Sequence, residues 1–224
     1  MEHIFFADKK KNIFFLPKEE LKHIGVLRIN LPAIILFSCG DGKLYRGVVN
    51  EGGEISEVSE VNGSQKTGID IYFGMCDKSR ISFILEKCTE LGTDSFTPLL
   101  TARSEKYALP KSRASRVIIS ALKQSRRFFM PEYRDPMRIE DLKRDDSVTM
   151  IFGSIKKNGE EIKLKTGKTA LIIGPPLGFT EEEEKLLLSK NALPFHFDTG
   201  ILRTETFAVS LLSIVHYIKG LNNG

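Results

Sequence analysis

The feature that most constrains the fold is a change of pattern near residue 69. Beyond this point, short apolar runs rich in β-branched residues alternate with segments whose apolar residues recur at helical spacing, as in Ile69–Met75 followed by Ile81–Leu91. Because strands that alternate with helices pack as a parallel sheet between helical layers, the pattern predicts an α/β domain over residues 69–224.

The first 68 residues carry a different pattern, in which short apolar segments are separated by turns such as Cys39–Lys43 and Glu51–Glu54. One segment, Lys18–Leu27, is typical of a helix. The predicted strands are Ile4–Phe6, Asn12–Leu16, Ala33–Ser38, Leu44–Asn50 and Glu54–Val61. Many short strands around one short helix predict a small β-barrel. The polar stretch 63–68 is the expected linker.

In the second domain, local signals predict where helices begin and end. Gly92 stands where a C-terminal cap is expected. Thr180 and Glu183 form a capping box, and the acidic first turn after Thr180 favours the positive end of the helix dipole. Thr204 is expected to cap the last helix, predicted from Glu205 to Lys219. The predicted strands are Ile69–Met75, Phe96–Leu100, Val148–Phe152, Ala170–Ile173 and Phe195–Asp198.

The composition is that of a globular protein, with 41% hydrophobic and 28% charged residues. No apolar run is long enough for a transmembrane helix, and the N-terminus lacks the features of a signal peptide, so we expect a cytoplasmic protein. The three cysteines and four histidines are too widely spaced to indicate a disulfide framework or a metal centre. We therefore expect no metal.

Charge is distributed unevenly along the chain. Residues 1–68 hold 9 Lys+Arg and 9 Asp+Glu, whereas residues 78–134 hold 12 Lys+Arg against 5 Asp+Glu. A basic middle segment favours a polyanionic partner, although an ordinary solvated helix face would give the same count.

Three segments carry the chemistry, since the G-x-S-x-G and H-E-x-x-H motifs are missing from the sequence. Ile172–Thr180 and Asp198–Thr206 each run from a strand end through glycine to a helix start. Such loops bind ligands at the carboxyl edge of a parallel sheet, although plain turns would look alike. Lys123–Phe129 combines cations, which hold phosphates, with aromatic residues, which stack on unpaired bases or simply fill a core.

Five short motifs, in order along nearly the whole chain, resemble the RsmE family (ribosomal RNA small subunit methyltransferase E). These SPOUT-type enzymes methylate N3 of a uridine in small-subunit (16S) ribosomal RNA. The matching segments are His23–Arg28, Glu86–Gly92, Pro98–Ser104, Gln124–Arg127 with Pro131, and Leu202–Thr206. The resemblance implies a PUA-like β-barrel over residues 1–68, then an α/β SPOUT methyltransferase domain with a C-terminal trefoil knot over residues 69–224. It also implies a homodimer that acts on this RNA or on the assembled subunit.

The resemblance further implies that S-adenosyl-L-methionine binds between two knot loops, 173–179 and 197–203. The cofactor-binding residues implied there are Ile173, Gly174, Pro175, Leu177, Gly178, Phe197, Asp198, Gly200, Leu202 and Thr204. Arg203 is the candidate for substrate orientation and charge stabilisation, and Glu205 for its orienting partner or the base. The candidate RNA-binding residues are Arg28, Arg46, Arg80, Arg103, Lys123, Arg126 and Arg127.

The chain departs from the family pattern at both loops. The first loop of the family usually reads G-P-E-G-G, but here Pro176 replaces the acid and Leu177 replaces a glycine. The second loop usually begins after Leu-Gly, where this chain has Phe197-Asp198. Two alternatives therefore stay open beside the enzyme. One is a non-catalytic ribosomal-RNA-binding or ribosome-assembly factor without cofactor binding, and the other is a SPOUT methyltransferase that acts on another RNA site.

Overall fold

The computed structural model describes residues 3–155, 164, 167–198 and 200–222, and the side chains of these residues up to position 220. The chain divides into two compact units. The first combines residues 1–66 with 119–130, and the second combines residues 67–118 with 131–224. The segment 119–130 thus belongs with the N-terminal residues although it lies far from them along the chain.

The first unit is a curled sheet with one helix. Its elements are β1 Ile4–Phe6, β2 Asp8–Lys10, β3 Ile13–Phe15, α1 Lys18–Val26, β4 Ala33–Ser38, β5 Lys43–Val49 and β6 Glu54–Gly63. The six strands lie in the order β1-β4-β5-β6-β3-β2, with β1 parallel to β4 and the other pairs antiparallel. Only Ala7 separates β1 from β2 in the chain, yet these strands stand at opposite ends of this order. The sheet must therefore curl to bring its two ends together.

An aromatic core fills the curled sheet. The Phe37 ring lies 5.2 Å from the Phe14 ring and 5.4 Å from the Tyr45 ring, centroid to centroid. The segment 119–130 closes this unit through its backbone. Gly42 N donates to Phe128 O at 2.8 Å, and Met130 N donates to Gly40 O at 2.9 Å.

The second unit is built on one parallel sheet. Its strands are β7 Ile69–Gly74, β8 Ser95–Leu100, β9 Glu132–Tyr133, β10 Met137–Arg138, β11 Thr149–Gly153, β12 Thr169–Ile173 and β13 Leu193–Phe195. They lie in the order β10-β8-β7-β12-β11-β13, with β9 also beside β8, and every pair is parallel. The predicted parallel α/β sheet is therefore confirmed.

Four α-helices accompany this sheet among the described residues. They are α2 Lys78–Leu91, α3 Lys111–Ser125, α4 Glu181–Ser189 and α5 Thr204–Asn222, and α3 begins in the second unit and ends in the first. The last helix is fastened to two distant turns. His216 Nε2 lies 2.8 Å from Gly92 O, and Lys219 Nζ donates to Thr67 O and Gly167 O at 3.1 and 3.0 Å.

Locally encoded helix ends agree with the sequence predictions. Gly92 follows α2 with φ +100° and donates its N–H to Cys88 O. The capping box of Thr180 and Glu183 is present at the start of α4. Thr204 is instead the first residue of α5 rather than its cap, because the helix begins one residue earlier than expected.

Four strand assignments differ from the sequence predictions. The strand predicted over Phe195–Asp198 is wrong, because β13 ends at Phe195 and the next residues turn into a loop. Strand β2 was missed because its Asp8-Lys9-Lys10 sequence is polar and fully solvent-facing, with no apolar alternation to mark it. Strands β9 and β10 have two residues each, too short for any periodicity.

Across the part of the chain that the structure describes, no helix combines the length and apolarity needed to cross a membrane.

Candidate functional site

Three loops leave β11, β12 and β13 at the carboxyl edge of the parallel sheet and enclose a cavity of about 340 Å³. This volume lies within the range of small-molecule sites in proteins. Residues 153–155, 173–179, 196–197 and 200–202 contribute to the wall, and so does Arg103 from the loop after β8. Thr199 lies outside the described residues. Side chains from the first turns of α4 and α5 complete the wall.

Most of the residues predicted to bind a cofactor surround this one cavity. Nine of the ten line it: Ile173, Gly174, Pro175, Leu177, Gly178, Phe197, Gly200, Leu202 and Thr204. The tenth, Asp198, lies in the third loop with its side chain exposed. Sequence reasoning missed a further group of lining residues, among them Ser154, Glu184, His196 and Phe207. Ser154 follows the end of β11 at the same sheet edge. The expectation that ligands bind where parallel strands end, which identified the other two loops, would therefore also have identified Ser154.

The loop after β12 closes with a tight turn. Gly178 N donates to Pro175 O at 2.8 Å, so Pro176 occupies the second position of a four-residue turn. Proline is favoured at this position because its fixed φ suits the turn. Gly178 has φ +69°, a conformation that favours glycine. The departure at Pro176 is thus compatible with an ordered loop.

Two side chains hold this loop, and one of them, Arg103, also lines the cavity. Arg103 Nη1 donates to Leu177 O at 3.0 Å and to Phe179 O at 3.3 Å. Buried Glu183 accepts from Thr180 N at 2.9 Å with one oxygen and from Ala102 N at 2.7 Å with the other. Arg103, predicted to contact RNA, therefore also organises the cavity wall.

One wall of the cavity is aromatic. The Phe195, Phe197 and Phe207 rings meet edge to face, with centroid distances of 4.8, 5.2 and 6.3 Å. The Phe207 ring also packs directly against Gly153, because a Cβ atom on that glycine would lie 2.8 Å from the ring. A flat aromatic ring system could pack well against this wall. Phe207 comes from a helix face and carries no sequence signal that would assign it to a site.

Polar groups lie at one corner of the cavity. Ser154 Oγ donates to Glu184 Oε1 at 3.1 Å. The Ser154 backbone is fixed in turn, because its N–H donates to Phe195 O at 2.9 Å and its carbonyl lies 3.3 Å from His196 Nδ1. Glu184 is the only carboxylate among the described residues that line the cavity.

The two catalytic candidates lie at the start of α5. The Arg203 side chain is exposed, and its carbonyl accepts from Phe207 N at 2.8 Å. Glu205 is only 14% exposed, and its Oε2 lies 3.7 Å from Arg80 Nε. The same Arg80 Nε lies 3.0 Å from Asp77 Oδ2. The structure therefore links Glu205 to the start of α2, through a residue that was predicted to bind RNA.

The cysteines do not supply a nucleophile. Burial, assisted by the charges of Asp77 and Glu105, raises the pKa of Cys76 to about 12. Burial likewise raises the pKa of the Cys88 thiol. In the first unit, burial and the neighbouring Asp41 raise the pKa of Cys39 to about 11. Because the thiolate is the reactive form, all three stay protonated and unreactive near neutral pH.

The RNA-binding candidates of the first unit fall into two groups. Arg28, Arg46 and Arg126 are exposed. Lys123 Nζ instead lies 2.6 Å from Glu20 Oε1, and their side chains are only 22% and 12% exposed. Arg127 is half-buried, and burial lowers its pKa. The exposed group is the one that presents charge to solvent.

Among the described residues, no three His, Cys, Asp or Glu side chains are grouped as metal ligands would be. The cavity wall consists of aromatic and aliphatic side chains, loop backbone, the polar corner and Arg103. This composition is typical of a site for an organic molecule rather than for an ion.

The second unit is a parallel α/β sheet with a small-molecule cavity at its carboxyl edge. It therefore belongs to the class of α/β proteins that bind a ligand at this edge of the sheet. The profile of the RNA methyltransferase domain matches residues 64–216, which is more than half of the chain. The chain therefore belongs to the RNA methyltransferase family.

Individual relatives share the whole length of the chain. The ribosomal RNA small subunit methyltransferase E of Aquifex aeolicus is 29% identical over 230 residues, covering 95% of this chain and 98% of the relative. That of Bacillus subtilis is 26% identical and covers 100% and 99%. The structure of the Neisseria gonorrhoeae enzyme bound to S-adenosyl methionine has a TM-score of 0.83 at 23% identity, covering 97% and 98%. The resemblance to the RsmE family is confirmed.

Proposed function

We propose that this protein transfers a methyl group from S-adenosylmethionine to N3 of a uridine in small-subunit ribosomal RNA. The observation that carries the proposal is the cavity itself, because nine of the ten residues expected to bind the cofactor line it. The names of the full-length relatives support the substrate, a small-subunit ribosomal RNA.

The cavity fits this cofactor in size and in chemistry. Its volume of about 340 Å³ suits a nucleoside with a short side chain. Phe197 and Phe207 offer an apolar face for the adenine, and the backbone of Gly178 is accessible because nothing lies within 4 Å of the position of a Cβ atom there. Glu184 is the one carboxylate among the described lining residues, and the Arg103 guanidinium in the same wall donates to the carbonyls of Leu177 and Phe179. These residues would hold the cofactor.

The residues of this chain would prepare the uracil for reaction. When bound, the cofactor supplies an electrophilic methyl group on a sulfonium. The loops around the cavity hold the base in line with it, which accounts for much of the rate in such transfers. Arg203, exposed beside the cavity, would stabilise the negative charge that remains when N3 releases its proton to water. Glu205, paired with Arg80, orients the helix turn that follows Arg203.

In this proposal, the first unit binds the RNA. We assign a PUA-like barrel to residues 1–68, supported by the curled sheet, and a SPOUT domain to residues 69–224. Arg28, Arg46 and Arg126 supply its exposed charge. The strand order, with β12 inserted between β7 and β11, supports a C-terminal trefoil knot of the kind that the family resemblance implies. A ribosomal RNA substrate supports a cytoplasmic location.

The protein would act as a homodimer. Three apolar side chains beside the cavity, Ile155, Leu177 and Ile201, are 72%, 73% and 91% exposed. Clustered apolar exposure of this kind marks interaction sites. A second copy covering these residues would complete the cavity wall, as the family resemblance implies.

A titration followed by a transfer assay tests the function. Calorimetry with S-adenosylmethionine and S-adenosylhomocysteine should show saturable binding at one site per chain. Gly178→Trp should abolish binding, because φ +69° strains any side chain there and an indole would enter the loop. Labelled methyl groups should then appear on N3 of one uridine in small subunits that lack the modification. A folded protein that binds neither ligand would instead be a non-catalytic RNA-binding factor, and transfer to another nucleotide would identify a different RNA target.

A further inference from the structure

We propose that Glu184 recognises the ribose of the cofactor, with its carboxylate accepting hydrogen bonds from the 2′- and 3′-hydroxyls. This inference rests on the proposed function and names the group that selects a ribonucleoside in the cavity. Glu184 belongs to none of the sequence motifs that indicated the site.

The geometry holds this carboxylate in one place. Glu184 lies in the first turns of α4, where its N–H donates to Thr180 O at 2.9 Å. Ser154 Oγ holds Oε1 from the opposite loop at 3.1 Å. Ser154 is itself fixed between β11 and β13 by its bond to Phe195 O. A side chain fixed by a neighbouring element in this way is prepared for ligand recognition.

The capping box of α4 does not use this carboxylate. Its neighbour Glu183 already completes the capping box, and the same side chain joins α4 to Ala102. Glu181 and Glu182 already place negative charge at the helix N-terminus. What distinguishes Glu184 from the other three acids of this turn is its position in the cavity wall.

The chemistry of a carboxylate suits a vicinal diol. An ionised carboxylate has two oxygens and about four acceptor positions, so Glu184 can accept from the ligand while it keeps the bond from Ser154. A glutamate or aspartate that binds ribose hydroxyls is a recurrent feature of nucleotide sites at the carboxyl edge of parallel sheets. Apolar walls such as the Phe197 and Phe207 rings do not offer the diol an alternative acceptor.

The loop sequence supports the same assignment. Residues 174–178, Gly-Pro-Pro-Leu-Gly, provide no carboxylate. Glu184 brings one to the same cavity from the helix that follows. The helix thus supplies a charged acceptor that the loop lacks.

A coupling experiment tests the assignment. The probes are S-adenosylhomocysteine and its 2′,3′-dideoxy analogue, titrated by calorimetry into the wild type, Glu184→Gln and Glu182→Gln. Glu182 is an exposed acid in the same turn and serves as the matched control. Removing the hydroxyls should weaken binding to the wild type and to the control about tenfold, the scale of a hydrogen bond to a charged group. In Glu184→Gln this loss should shrink to about twofold or less.

The outcomes separate the two proposals. If Glu184→Gln binds both ligands as the wild type does, or weakens both equally, the ribose assignment is wrong while the cofactor site stands. If the wild type binds neither ligand although it is folded, the proposed function itself fails. Thermal unfolding of Glu184→Gln without ligand should match that of Glu182→Gln, which excludes a merely structural effect.

Discussion

Single glycines determine how closely the backbone segments around the cavity approach each other. A Cβ atom on Gly74, the last residue of β7, would lie 2.3 Å from the nitrogen of Pro175. Real Cβ atoms do not come this close to backbone, and backbone cannot move aside as a flexible side chain can. The position of the loop after β12 therefore depends on a missing side chain in the neighbouring strand.

Gly74→Ala should destabilise the second unit and weaken cofactor binding together. We expect a loss of about 1–3 kcal/mol in the free energy of unfolding, the usual cost of overpacking. Gly220→Ala is the control, because nothing lies within 4 Å of a Cβ atom there and the residue is within α5. It should stabilise the helix by about 0.5–1 kcal/mol. Urea unfolding with and without S-adenosylhomocysteine measures both effects, and an unchanged Gly74→Ala variant would show that the loop can move.

Arg203→Ala should abolish methyl transfer with little change in stability. The side chain is exposed, and the backbone carbonyl of this residue accepts from Phe207 N within the first turn of α5. Loss of a charge-stabilising group typically lowers turnover by about 10²–10³-fold. Single-turnover rates and thermal unfolding test this, with Arg138→Ala as an exposed control. Turnover within twofold of the wild type would remove Arg203 from the mechanism.

The residues of the site could be predicted in part. The loop residues followed from strand ends and glycines, and this pattern is local in the sequence. Glu184 and Phe207 could not be found this way, because each belongs to a helix whose orientation toward the sheet edge is a tertiary property. Residue spacing could not predict the pairing of Glu205 with Arg80 either, because the two residues are 125 positions apart in the sequence.

At the scale of elements, the start of α4 combines a local cap with a long-range contact. Glu183 is 7% exposed and accepts hydrogen bonds from Thr180 N and Ala102 N with its two oxygens. The capping box could be predicted because both partners lie within four residues. The bond to Ala102 could not, although it ties the helix to the loop that follows β8.

Glu183→Gln should therefore cost more stability than Thr180→Ala. The amide places an NH₂ group against one of two backbone donors, which leaves a buried N–H unsatisfied at a cost of about 2–3 kcal/mol. Loss of the threonine cap alone costs about 1 kcal/mol. Chemical unfolding should rank the two variants in this order, with Glu182→Gln within about 0.5 kcal/mol of the wild type. Equal values for Glu183→Gln and Glu182→Gln would contradict this role of Glu183.

In the first unit, the pair of Lys123 and Glu20 joins the end of α3 to α1. Lys123→Met should destabilise this unit by about 2 kcal/mol, because Glu20 would keep a largely buried charge without its partner. The double variant with Glu20→Gln should recover most of the loss. Arg126→Ala, an exposed neighbour, should leave unfolding unchanged and weaken RNA binding instead. Additive losses in the double variant would mean that the two side chains do not depend on each other.

At the scale of the molecule, alternation of strands and helices was enough to predict a parallel α/β sheet. The order of the strands was not predictable, because periodicity identifies strands without naming their neighbours. Strand β12 lies between β7 and β11, and this order brings the ends of β11 and β12 side by side beneath the cavity. Local patterns also could not predict which residues form the first unit, because residues 119–130 belong to it although they are distant in the sequence.

Ile201→Asp should convert the proposed homodimer into monomers. At 91% exposure, Ile201 can accept a charge without disturbing the folded chain, whereas a carboxylate buried between two copies has no solvation. Leu188→Asp, an exposed apolar position on α4, is the control and should leave dimers intact. Sedimentation velocity reports the result. A wild type that sediments as a monomer at assay concentration would contradict the dimer.

The membership of segment 119–130 in the first unit affects how a growing chain can fold on the ribosome. Chains emerge from the N-terminus, and domains generally fold as they emerge. The first unit cannot close when residue 66 leaves the exit tunnel, because Gly40 and Gly42 bond to Met130 and Phe128. It must wait until the intervening segment 67–118 has been synthesised. The cavity forms later still, because its wall includes Phe207. A chain released between these two points would contain every segment of the first unit but not the complete cavity.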